Sequence, residues 1–188
     1  MGFNISWLAI QACDRVELHR SLGLVATGDC MDFPQGPVCG AILPNAGYLL
    51  ILNDPWHPYT EASALAKLSL KHEIYACRIE EHNMSSAAFA WKDGTCTWSV
   101  VHSAERDVRN LKITGNAPVE LAALRDAATR LQDKERKPFF LGWMRVQFDH
   151  FFQVPIDLAA VATGYQHDLI KQPWGIAKYE ALVPGALH

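Results

Sequence analysis

Several things are missing from this chain, and each absence closes off a class of protein. No apolar stretch reaches the roughly 20 residues that cross a bilayer as a helix. No charged segment followed by a short apolar run stands at the start, so no secretory signal is expected. The five cysteines, Cys13, Cys30, Cys39, Cys77 and Cys96, are odd in number and widely spaced. That pattern fits free thiols in a reducing, cytoplasmic setting rather than a disulfide framework. Positive charge is also scarce. Lys and Arg number 17 against 20 Asp and Glu, for a formal net charge of −3. Without clustered cations to neutralise phosphates, nucleic acid is not the expected partner. No phosphate loop, dinucleotide glycine pattern, nucleophile elbow or H-E-x-x-H helix occurs. His72-Glu73 begins like the last of these, but no second histidine follows at the right offset. No cofactor and no metal are therefore expected. Gly2 and Ser6 match a loose myristoylation pattern, but residues 4–11 read as a core strand that leaves little free tail, so no membrane association is expected either.

What remains is an ordinary globular composition of 188 residues, 49% apolar and 20% charged. A chain of this size buries about 70% of its unfolded surface, so it needs no staple. Residues 1–170 are expected to form a single α+β domain. Residues 171–188, punctuated by Pro173, Gly175, Pro184 and Gly185, read as a C-terminal extension.

The strongest local signal is in residues 87–102, AAFAWKDGTCTWSVVH, where two β-rich runs flank Asp93-Gly94. That step marks a two-residue hairpin turn. The expected register sets Trp91 against Cys96 and Phe89 against Trp98. Phe89, Trp91, Cys96, Trp98 and Val100 would then share one buried face. Upstream, residues 4–11 read as a strand. Asp14 caps a short helix, with Glu17 three residues on and Gly23 as its stop. Residues 25–35 read as irregular. Residues 38–43 and 48–53 suggest a second hairpin, and Thr60 is the expected N-cap of a helix over 61–70. Residues 73–81 form another strand, and 107–114 a weaker one. Pro118 opens a helix running to about Lys134, and Pro155 opens a last helix stopped by Gly164. Residues 138–152 hold Trp143, Phe148, Phe151 and Phe152, for which a core or domain-edge role is expected. The order over residues 4–81 is β-α-β-β-α-β, the ferredoxin-like pattern. The hairpin would extend that core, and two C-terminal helices would cover it.

Two groups of residues are candidates for function. Glu80-Glu81-His82 ends a strand, where a rigid scaffold presents groups to a connection. Two carboxylates beside an imidazole could hold a divalent metal or perform acid–base work, though only one of them shares the imidazole's side of the strand. Alternation points Glu80 and His82 to one side, and His102 would join them if the neighbouring strands lie close. A solvated strand end and a half-buried sheet histidine are the plainer readings. The second group is the proline-stiffened loop of residues 54–59, DPWHPY, whose Trp56, His57 and Tyr59 suit contact with a partner at low entropic cost. Cys77 and Cys96, in mid-strand, read as small hydrophobes.

The segments NISWLAI, EIYACRIEEHNMSSAAFAWKDG and VPIDLAAVATGYQHD resemble a group of small bacterial proteins with no established activity. The resemblance spans most of the chain and implies no functional residues. The expected function is a non-enzymatic, cytoplasmic protein that binds another macromolecule, of which a toxin-neutralising immunity protein is one concrete form. A small-ligand protein or enzyme with a site near Glu80, His82 and His102 is the alternative, and a homodimer formed through sheet edges is compatible with both.

Overall fold

The computed structural model describes residues 2–135 and 148–185; Trp143 lies outside them. The fold is α+β, with a large antiparallel sheet and four α-helices among the described residues. The elements in chain order are β1 (Asn4–Ile10), α1 (Arg15–Leu22), β2 (Leu24–Met31), β3 (Val38–Leu43), β4 (Gly47–Leu52) and α2 (Ala62–Leu68). There follow β5 (Ile74–Glu80), β6 (Ser85–Lys92), β7 (Thr95–Ser103), β8 (Lys112–Gly115), α3 (Glu120–Glu135) and α4 (Gln153–Thr163). The strands β9 (Lys171–Gln172) and β10 (Gly175–Ile176) pair with each other, and β11 (Tyr179–Pro184) ends the described chain.

The main sheet has nine strands in the order β2-β11-β3-β4-β1-β5-β6-β7-β8. That is two more than a four-stranded core widened by the hairpin and the strand near 107–114, which is present as β8. The extra width has two sources in the C-terminal and early segments. Residues 25–35, expected to be irregular, contain β2. Residues 171–188, expected as an extension, supply β11, which is hydrogen-bonded to β2 on one side and β3 on the other. Neither strand announces itself, because β2 is exposed along nearly all its length and so has no alternating apolar pattern.

Both faces of the sheet are covered, which explains why its central strands are apolar throughout rather than alternating. Every residue of β4 is buried. Leu8, Ile10, Leu50, Leu52 and Ile74 pack on one face with Leu18 of α1 and Leu65 of α2. Trp7, Leu49, Ile51 and Ile79 pack on the other with Leu121 and Ala128 of α3 and Leu158 of α4. Each buried aliphatic side chain contributes about 1.5–3 kcal/mol, so the two layers of core hold the body together.

The helix ends follow local chemistry. The Asp14 carboxylate accepts from the Glu17 N–H at 2.8 Å, and Gly23 closes α1 at φ 66°. Gly164 closes α4 at φ 75°. Thr60 does not cap α2. It ends a 3-10 turn over Pro58–Thr60, and Glu61 precedes the helix without a side-chain cap.

The hairpin differs from its expected register in an instructive way. The turn is the two-residue one, with Asp93 at φ 50° and Gly94 at φ 75°, and Trp91 does face Cys96. A bulge then inserts an extra residue, so Ala90 faces Trp98 and Phe89 faces Ser99. The aromatic set is therefore split. Phe89 and Trp91 pack on the α1/α2 face, and Trp98 packs on the α3/α4 face with Ala88, Ala90 and Val100. Small alanines on that second face leave room for an indole, whereas the first is already filled by two rings.

Candidate functional site

The loop after β4 is pinned at several points. The Ser6 hydroxyl donates to the Asp54 carbonyl at 2.7 Å, and the Asp54 carboxylate accepts from the Trp56 N–H at 2.8 Å. His57 Nδ1 accepts from the Tyr59 N–H at 3.2 Å, and the Tyr59 hydroxyl donates to the Leu22 carbonyl at 2.7 Å. Burial pushes the His57 pKa down, opposed by the Asp54 charge, and pushes the Tyr59 phenol up. A lowered His57 pKa agrees with its role, since a ring nitrogen that accepts a hydrogen bond must be unprotonated. Trp56, by contrast, projects outward and is 58% exposed.

Behind Trp56 lies Arg78, on β5. Its guanidinium carbon is 5.0 Å from the centre of the Trp56 ring and 5.3 Å from that of Phe89. Its Nε donates to the Thr60 hydroxyl at 3.2 Å, and one terminal nitrogen donates to the Thr60 carbonyl. Among the described residues it forms no ion pair. Burial lowers its pKa, and the Glu61 charge partly opposes that. A pocket of about 440 Å³ opens beside it, walled by Trp56, Leu65, Phe89 and Trp91, with Thr60 and Glu61 at its edge. The indole N–H of Trp91 is buried and makes no hydrogen bond.

The sequence marked neither Arg78 nor the pocket, although a signal was present. Arg78 follows Ile74 and Ala76 in the alternation of β5, so a cation occupies a position that otherwise faces the core.

The other candidates are placed as follows. Glu80 uses both carboxylate oxygens: one accepts from the Trp56 indole at 3.3 Å, the other from Asn83 at 2.8 Å. His82 lies exposed in the turn after β5 and takes no part in those bonds. His102 is fully buried, with Nδ1 at 2.7 Å from the Asn110 carbonyl and Nε2 at 2.8 Å from Asp149. Both ring nitrogens thus face oxygen atoms of the protein, and no access remains for a substrate. The structure joins Glu80 to Trp56 and leaves His82 and His102 apart from it. Trp56, His57 and Tyr59 share one loop but not one direction, because Tyr59 turns toward α1 and Trp56 toward β5.

A second polar chain lies away from this loop. The Tyr48 hydroxyl donates to Glu180 at 2.7 Å and lies 2.9 Å from His19 Nε2, while Arg15 reaches Glu180 at 3.4 Å. This chain ties α1 to β4 and β11. A side chain on Gly40 would collide with it, since a Cβ there would lie 1.9 Å from the Tyr48 hydroxyl. The five cysteines are free thiols. Burial pushes Cys39 up to about 12 and Cys77 upward as well, so neither is a thiolate near neutral pH. Among the described residues no group of three or more His, Cys, Asp or Glu is placed to hold a metal ion, and no helix is long and apolar enough to cross a membrane.

No protein-family model matches this chain, and neither a curated protein nor a solved structure matches it.

Proposed function

We propose that this is a non-enzymatic binding protein that recognises a protein partner through the loop carrying Trp56. One observation carries the reading: a large aromatic side chain is held outward on a fixed frame. Its backbone is bonded to Asp54, its indole to Glu80, and its ring rests near the Arg78 guanidinium. An anchor ordered before contact loses little entropy on binding, and exposed tryptophan is the residue type most often decisive at interfaces. The saturated bonding of His102 also removes one of the two imidazoles expected beside Glu80. A cytoplasmic, immunity-type protein that neutralises a toxin is the concrete form of this proposal. At the level of fold, β5, β1, β4 and β3 lie side by side with α1 and α2 on one face. That order supports reading this part as a ferredoxin-like unit widened by the remaining strands.

The test is recovery of a stoichiometric complex from native lysate of the source cells, compared between the unaltered protein and Trp56→Ala. Loss of a central aromatic anchor costs 2 kcal/mol or more, roughly a 30-fold weakening. A complex that survives Trp56→Ala unchanged, or a protein that always runs alone, refutes the reading.

A further inference from the structure

We infer that the pocket beside Arg78 is a binding site for a monocarboxylate with an apolar body. This goes beyond recognition of a partner by Trp56 and does not depend on it. Arg78 is half-buried, is held in one orientation by Thr60, and has no carboxylate paired to it among the described residues. A guanidinium stays ionised in a protein, so its charge borders the pocket with two flanking rings and the field of Glu61 beside it but no paired carboxylate. Bonding to Thr60 occupies Nε and one terminal nitrogen, which leaves Nη1 free for an anionic oxygen.

The walls specify the rest of the ligand. Trp56, Phe89, Trp91 and Leu65 offer rings and a branched aliphatic surface to an apolar group. A space of about 440 Å³ admits a small arylalkanoate. The edge sets the charge. Glu61 stands there as a second carboxylate and its field reaches Arg78. It repels a doubly charged phosphate more than a singly charged carboxylate and so offsets Arg78's stronger pull on the dianion, which makes one cation beside one carboxylate a poor match for a second negative charge. Partial burial of the cation favours an anionic group over a neutral one at that position.

The Trp91 indole N–H supplies a reporter. It is buried and unbonded in the wall of the pocket, so its resonance responds to any ligand that alters the packing there. The experiment titrates phenylacetate, its neutral amide phenylacetamide, and phenyl phosphate into the full chain, following the indole and guanidinium N–H signals. Saturable shifts are expected with phenylacetate, with the amide and the phosphate at least about tenfold weaker. Arg78→Gln should weaken phenylacetate by a similar factor, and Glu61→Gln should narrow its margin over phenyl phosphate. If the acid and the amide bind alike, or if no probe gives a saturable shift near Trp91, the inference is wrong. The acid–amide contrast needs no variant, so it holds even if Arg78→Gln folds poorly. A short peptide ending in a free Phe carboxylate, against the same peptide amidated, distinguishes a chain terminus from a free metabolite as the carboxylate's source. Both sources meet the proposal, and binding of the amidated peptide as tightly as the free acid overturns it.

Discussion

The two faces of the sheet bury charged groups in opposite ways. On the α3/α4 face, His102 and Asp149 form a closed unit. Both imidazole nitrogens have oxygen partners, and Asp149 spends its second oxygen on the N–H groups of Phe151 and Phe152 at 3.0 and 3.1 Å. On the α1/α2 face, Arg78 is bonded along one edge only and opens onto a cavity. The comparison separates two uses of burial. A saturated buried pair fixes structure, here the turn into α4, and has nothing left for a ligand. A half-buried cation bonded along one edge keeps part of its bonding capacity in reserve.

The largest effect that tests this contrast is on the closed side. His102→Ala leaves Asp149 buried without its partner and should lower the unfolding free energy by about 3–5 kcal/mol, read from urea denaturation. On the open side, Arg78→Gln should cost less, about 1.5–3 kcal/mol, since the charge-assisted hydrogen bonds lost are to one neutral residue and no buried countercharge is stranded. Equal losses in the two variants would break the comparison. The smallest and most graded effect comes from protons. His19, His57 and His167 all have pKa values lowered chiefly by burial. A histidine whose folded pKa lies below its unfolded value binds its proton more readily when the chain is unfolded. Stability should therefore be fully present above about pH 6.5 and fall as the pH drops through the folded values. Urea midpoints measured across that window check the sign, and His167→Gln should flatten the slope. A midpoint that rises on acidification contradicts the assignment.

How far these features could be read from the residues depends on distance along the chain. Local chemistry was legible: the Asp14 cap, the Gly23 and Gly164 stops and the two-residue turn at Asp93-Gly94 are each set within a few residues. The bulge between Ala90 and Trp91 was not, because it sets Trp98 among Ala88, Ala90 and Val100 on a face whose packing is completed by distant helices. Asp149 was likewise invisible as the partner of His102. It lies 47 residues away, in a stretch without helical or strand period. Trp56 was legible as a loop aromatic, but the cation behind it required knowing that β5 turns Arg78 toward the same face as Phe89.

The position of β11 has a consequence for how the chain is made. β3 and β2 are complete early in synthesis, yet the strand that fits between them arrives some 140 residues later. At about 5–20 residues per second, a ribosome leaves that gap open for roughly 7–28 s. Through that interval one side of β3 is an unpaired template, and β2 has no neighbour in the main sheet. The nascent protein is therefore most vulnerable to wrong pairing at its N-terminal half, and the remedy is carried by its C-terminal segment.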